Sequence, residues 1–130
     1  MDIFAQIQGF APFFVAVVIA EVLDMVFGLS NAVINKEVSS SKMREGISHK
    51  VGILGLLVAS AFVEICCSFM ELPIDLPIVA GVAAWLVLME IGSICEILVK
   101  MNPDLANAPV LSMFDVALDT VSGKRQNDVH

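Results

Sequence analysis

The sequence predicts an all-α integral membrane protein with three transmembrane helices and a short C-terminal amphipathic helix. Composition is the first reason. Apolar residues make up 58% of the 130 and charged residues only 16%, with a mean hydropathy of +0.87. A soluble domain carries about a quarter charged residues and less than half apolar ones. The second reason is distribution, since the apolar residues fall into three blocks of spanning length. The third is the proline-containing or serine-rich punctuation between the blocks. Strands of a membrane barrel would instead give alternating segments of about 10 residues. Fourteen acids against seven bases leave a net charge of −7. No cationic stripe is available to displace counterions from phosphate, so nucleic-acid binding is excluded. The apolar content equally excludes a disordered acidic chain.

The first block runs from about Phe10 to Ile34 and contains only Glu21 and Asp24 as charges. A hydrocarbon core about 30 Å thick needs about 20 helical residues at ~1.5 Å each, so the block spans. It lacks the basic amino-terminal region of a signal peptide, Asp2 being its only early charge, and is expected to remain as an uncleaved helix. Lys36 to Lys50 is polar, with Ser39, Ser40 and Ser41, and reads as a loop. The second block, Val51 to Met70, holds the single charge Glu64. A tight turn follows at Glu71 to Pro77, where Pro73 and Pro77 cannot continue a helix. The third block, Leu76 to Ile97, carries Glu90 and Glu96, and Asn102-Pro103 closes it.

After Pro109, residues Val110, Met113, Phe114, Ala117, Leu118 and Val121 fall on one helical stripe, opposite Ser112, Asp115, Asp119 and Ser122. An acidic polar face does not suit anionic lipid. This helix is expected on the bundle, on a neighbouring subunit or loosely at the interface, with Gly123 to His130 as a solvated tail. The chain thus divides into a three-helix membrane domain, 1–100 (spans about 10–34, 51–70 and 76–97), and a cytoplasmic helix and tail, 101–130.

Orientation follows the lysines and arginines. Lys36, Lys42, Arg44 and Lys50 lie in the first loop, and Lys100, Lys124 and Arg125 follow the third span; the amino terminus and second loop have none. The bias places the amino terminus outside and the carboxyl terminus in the cytoplasm.

Acids inside a membrane point to function by default, and an aspartate at mid-helix costs about 2.5–3.5 kcal/mol on insertion scales. Counting inward from the outer end at ~1.5 Å per residue puts Glu64 near 9 Å, Glu21 near 17 Å, Asp24 and Glu90 both near 21 Å and Glu96 near 30 Å. Glu21 and Asp24 share a helix face, as do Glu90 and Ser93. Two carboxylates meeting at one depth, as Asp24 and Glu90 would, repel each other. These six residues either line a water-filled or proton-sharing path, formed on assembly, or act as polar glue between packed helices. Gly52, Gly55 and Ala59, and Ala80, Gly81 and Ala84, give small-residue faces suited to helix packing and self-association. Cys66, Cys67 and Cys95 lack metal-type spacing and read as inert buried thiols. His49 and His130 have no catalytic partner in view, and no phosphate loop, nucleophile elbow or zinc motif is present. No enzymatic activity, metal or cofactor is expected.

Asp24-Met25-Val26-Phe27-Gly28, then Asn35-Lys36-Glu37-Val38-Ser39-Ser40, then Gly46 and Lys50, resemble the opening of the toxin-secretion and phage-lysis holins, relatives of the small holins of phages infecting Gram-positive bacteria. Glu90-Ile91-Gly92-Ser93-Ile94-Cys95-Glu96 resembles that family's third-helix signature, although Ile97 stands where an asparagine is common. Only Pro103 corresponds to the glycine and proline pair usual after that helix. The resemblance covers Ala20 to Leu105. It implies a non-enzymatic protein of the bacterial cytoplasmic membrane that gathers as a homo-oligomer in the lipid bilayer and opens holes. Through these an endolysin, or an exported toxin, would pass. The residues alone equally admit a small ion or proton conductor, an accessory transporter subunit, or a purely structural membrane subunit.

Overall fold

The computed structural model describes residues 2–73, 75–109, 113 and 116. Three long helices account for most of them: α1 (Ile3–Ile34), α2 (Ser40–Phe69) and α3 (Ile78–Met101), with a 3-10 turn at Pro103–Asn107. No strand occurs among the described residues. The three helices are each long and apolar enough to cross a membrane, as the hydropathy blocks predict. The expected C-terminal amphipathic helix and tail lie outside the described residues, apart from Pro109, Met113 and Val116.

The helix ends differ from the apolar blocks for identifiable reasons. α1 begins at Ile3 because Asp2 caps it, its Oδ1 accepting from the Phe4 N–H at 3.1 Å. Pro12 lies within the helix and removes one donor, a loss tolerated in spanning helices. The larger correction concerns α2. Lys36 to Lys50 is not a loop throughout: helix starts at Ser40, capped by Ser39 Oγ, which accepts from the Lys42 N–H at 3.2 Å. Helical hydrogen bonds are internal, so a polar run of good helix formers such as Lys42, Met43, Arg44 and Glu45 continues the helix beyond the apolar stretch. At ~1.5 Å per residue α1 and α2 reach about 48 and 45 Å, well beyond a hydrocarbon core.

α1 and α2 both end in Schellman motifs. Glu37 N–H bonds to Ala32 O and Lys36 N–H to Val33 O; Leu72 N–H bonds to Cys67 O and Glu71 N–H to Ser68 O. The left-handed residue is Lys36 (φ 57°) in one and Glu71 (φ 52°) in the other, where glycine is usual.

The chain runs up, down and up. α1 packs most extensively on α3, and α2 joins the pair through fewer contacts, mainly to α3. The core is small: Val17, Leu57, Val79, Ala83 and Leu86, flanked by Phe10, Phe14, Ile53, Leu54, Ala61, Val82 and Val87. Outside it the helices remain apolar, with Val18, Ile19, Val22, Val58, Phe62, Trp85 and Met89 all exposed. Helices apolar on their outer as well as their inner faces belong in lipid.

The small-residue faces point away from this core. Gly52, Gly55, Ala59, Gly81 and Ala84 are exposed and Ala80 is half-buried, and a Cβ added at Gly52, Gly55 or Gly81 would meet nothing within 4 Å. Within one chain they do not pack helices. Gly28 does face α3, where an added Cβ would lie 3.7 Å from Ile97 Cδ1.

Candidate functional site

The polar centre of the bundle is built by one turn from each helix. Asp24 lies ten residues before the end of α1, Lys50 ten residues after the start of α2, and Glu90 eleven before the end of α3. Antiparallel alternation brings all three to one level. Lys50 Nζ donates to Asp24 Oδ2 at 2.6 Å and to Glu90 Oε2 at 2.7 Å. The three side chains are 12%, 16% and 5% exposed, so the ion triad is largely shut off from its surroundings. Asp24 and Glu90 therefore meet at one level of the bundle, with an ammonium between them.

The four bases of the α1–α2 region do not share one setting. Lys36, Lys42 and Arg44 are exposed, whereas Lys50 turns inward from α2. No feature of spacing along the chain announces this. The signal was present only as a single base at the margin of an apolar block that must oppose acids on two other blocks.

Glu21, one turn from Asp24, is 5% exposed and on the buried face of α1. It lies within electrostatic range of Glu90, Lys50, His49 and Asp24. Its Oε1 and Asp24 Oδ1 are buried without a hydrogen-bond partner among the described residues. Three carboxylates thus surround one ammonium. An unpaired buried charge is costly, so the excess of acids over bases weighs against the stability of the single bundle.

Glu64 sits elsewhere, fourteen residues along α2 from Lys50 on the same stripe. Its Oε1 accepts from the Ile78 N–H at 3.1 Å, at the start of α3, where Pro77 supplies no side-chain cap. An acid on α2 thereby shares the first N–H of α3, which also donates to Leu76 O at 2.9 Å, and places a carboxylate at the positive end of the helix dipole. Its Oε2 is buried without a partner among the described residues. Ser60, between the two polar ties, donates to Leu57 O at 2.7 Å and is buried. Ser93 is half-buried one turn beyond Glu90, and Glu96 is exposed, about 120° round α3 from Glu90. The structure brings Glu21, Asp24 and Glu90 together and leaves Glu64 and Glu96 apart from them. Cys66, Cys67 and Cys95 are half-buried and form no disulfide, and no group of metal-ligating side chains is found among the described residues.

Compared with known proteins, the chain matches the family model of the bacteriophage holin family over residues 3–122. No curated protein and no solved structure gave a match. A buried ion triad inside a three-helix bundle with a lipid-compatible exterior defines a multi-pass membrane protein with a polar interior. The chain belongs to the bacteriophage holin family.

Proposed function

We propose that this chain accumulates in the bacterial cytoplasmic membrane, amino terminus outside and carboxyl terminus in the cytoplasm, and assembles there into holes that release an endolysin or an exported toxin. The observation that carries the reading is the buried cluster of Glu21, Asp24 and Glu90 around Lys50. In one chain these charges must be concealed from lipid. In a ring of copies, α1 and α3 turn Glu21, Asp24 and Glu90 toward a shared aqueous lumen, with Glu96 at its rim, and hydration replaces the strained pairing. The outward small-residue faces at Gly52, Gly55, Ala59, Gly81 and Ala84 offer close approach between copies. Passage of a protein through the hole requires no contact with it, so endolysin or toxin is coupled to the holin by access alone.

Replacing Asp24 or Glu90 with alanine tests this. Each change leaves Lys50 one carboxylate, so the single bundle persists, but the lumen loses a hydrated charge. With insertion unchanged in membrane fractions, permeabilisation of an induced culture should be delayed or abolished. Unchanged onset in both variants would remove these residues from the hole. A proton or ion conductor is the second reading, favoured by the Oε1 of Glu21, which has no hydrogen-bond partner among the described residues and lies within electrostatic range of Glu90. It predicts loss of membrane potential while proteins are retained.

A further inference from the structure

We propose that Lys50 is a clasp: it fastens α2 to the α1–α3 pair, and the hole opens only after Lys50 lets go of Asp24 and Glu90. This rests on the reading of the chain as a hole-former and adds to it the residue that holds the closed unit shut.

Three features of the structure converge on Lys50. The first is the weak attachment of α2. α1 and α3 make the main contact of the bundle, and α2 adds a thinner one through a single stripe. On that stripe Lys50, Leu57 and Glu64 follow one another at seven-residue spacing. Leu57, fully buried, is the apolar plug; Lys50 and Glu64 are the polar ties on either side of it. Glu64 holds only a backbone N–H at the start of α3. Lys50 bonds side chains of both partner helices.

The second feature is position. On the side of Lys50 toward the α1–α2 connection, the two helices diverge around a groove of about 340 Å³. Met25, Gly28, Leu29, Met43 and Ile47 line its walls, and Asp24 and Lys50 reach its floor. Lys50 therefore stands at the fork: beyond it α1 and α2 are splayed, and below it they close on Val17 and Leu57. The buried apolar cluster of Val17, Leu57, Val79, Ala83 and Leu86 lies wholly on the other side of the clasp.

The third feature is the charge count. With Lys50 in place, one ammonium answers the carboxylates of Asp24 and Glu90 while Glu21 stands within range. With Lys50 withdrawn, three largely buried carboxylates on α1 and α3 face one another with no base between them. Removing one partner of a buried ion pair is far more disruptive than removing the whole set. Loss of the base must drive the cluster toward water, and loss of one acid must not. The two kinds of substitution thus act in opposite directions on the same event: base removal advances opening, acid removal retards it.

The test uses the full chain in membranes, with Cys66, Cys67 and Cys95 replaced by alanine and Ser60→Cys as the reporter. Ser60 is 6% exposed on the inward face of α2, and cysteine is nearly isosteric with serine. A maleimide then reacts only when water reaches the seam. Labelling rate, membrane accumulation and onset of permeabilisation are read together. Lys50→Met should raise the labelling rate by about tenfold or more and bring onset forward, and Lys50→Arg should recover most of the protection. The fully neutral set, Lys50→Met with Glu21→Gln, Asp24→Asn and Glu90→Gln, should return labelling toward that of the parent chain, which holds even if Lys50→Met alone accumulates poorly. Equal labelling and onset in parent and Lys50→Met at matched accumulation would overturn the clasp, as would a neutral set as open as Lys50→Met. If labelling rises as expected but no chain, parent included, permeabilises the membrane, the clasp stands and the hole-forming reading falls.

Discussion

Glu64 separates a structural acid from a functional one. Replacing it with alanine removes the acceptor 3.1 Å from the Ile78 N–H, at a helix start that has no side-chain cap of its own. Loss of a capping side chain costs about 0.5–2 kcal/mol. The Ile78 N–H keeps its bond to Leu76 O at 2.9 Å, and the site opens onto a cavity of about 670 Å³ lined by Gln6, Ser68, Glu71 and Asp75 among others, so the donor is not left bare. That favours the lower half of the range, about 1 kcal/mol. For a chain of this size such a loss lowers the unfolding midpoint by roughly 3–5 °C. Trp85 is the only tryptophan and there is no tyrosine, so its fluorescence, with helical circular dichroism, follows thermal unfolding of the detergent-solubilised protein. Glu64→Gln keeps an oxygen acceptor and should lose less than half as much. Onset of permeabilisation should stay with the parent in the glutamine variant. Equal destabilisation by alanine and glutamine would refute the capping argument, and a delay in Glu64→Gln as long as that in Glu90→Ala would make Glu64 a lumen residue instead.

Other outcomes follow from the same geometry. Lys36→Gly and Glu71→Gly each relieve a left-handed residue at a helix end and should raise stability by about 1 kcal/mol, read as a higher midpoint in the same melt. Gly55→Leu and Gly81→Leu, where an added Cβ meets nothing, should leave the helical content of the single chain intact. They should also weaken chemical cross-linking between copies. Trp85 is 42% exposed on the outer face of α3, so brominated lipid should quench it strongly before assembly and less once copies pack along Gly81 and Ala84. Persistent quenching throughout permeabilisation would place the contact between copies on another face.

The fold was legible because a membrane span needs little more than length and apolarity. Three blocks separated by Pro73, Pro77 and polar runs admit one topology, and Gly28 against Ile97 shows the resulting juxtaposition of α1 and α3. Helix ends were less legible. Hydropathy measures where lipid is, not where helix is, so the polar start of α2 at Ser40 and the capped start of α1 at Ile3 fell outside the blocks. The turns after α1 and α2 carry Lys36 and Glu71 where glycine would have announced a Schellman end. The acids stood out one by one, as rare charges in apolar context. Their partner did not, because Lys50 sits at the edge of its block among bases that face solvent. Pairing it with Asp24 and Glu90 needs the relative rotation of three helices, which no single helix encodes. Glu64 was hidden for the same reason, its acceptor role depending on where the next helix begins.

The central claim is that this member of the holin family opens holes large enough for a protein. The direct measurement is inducible expression in a bacterium supplied with a cytoplasmic endolysin, following culture density, membrane potential and release of a cytoplasmic enzyme. Abrupt lysis after a delay, with the enzyme appearing outside, is the result the account predicts. Collapse of the membrane potential with endolysin and enzyme both retained would contradict it, and would make the buried cluster of Glu21, Asp24, Lys50 and Glu90 part of an ion-sized path.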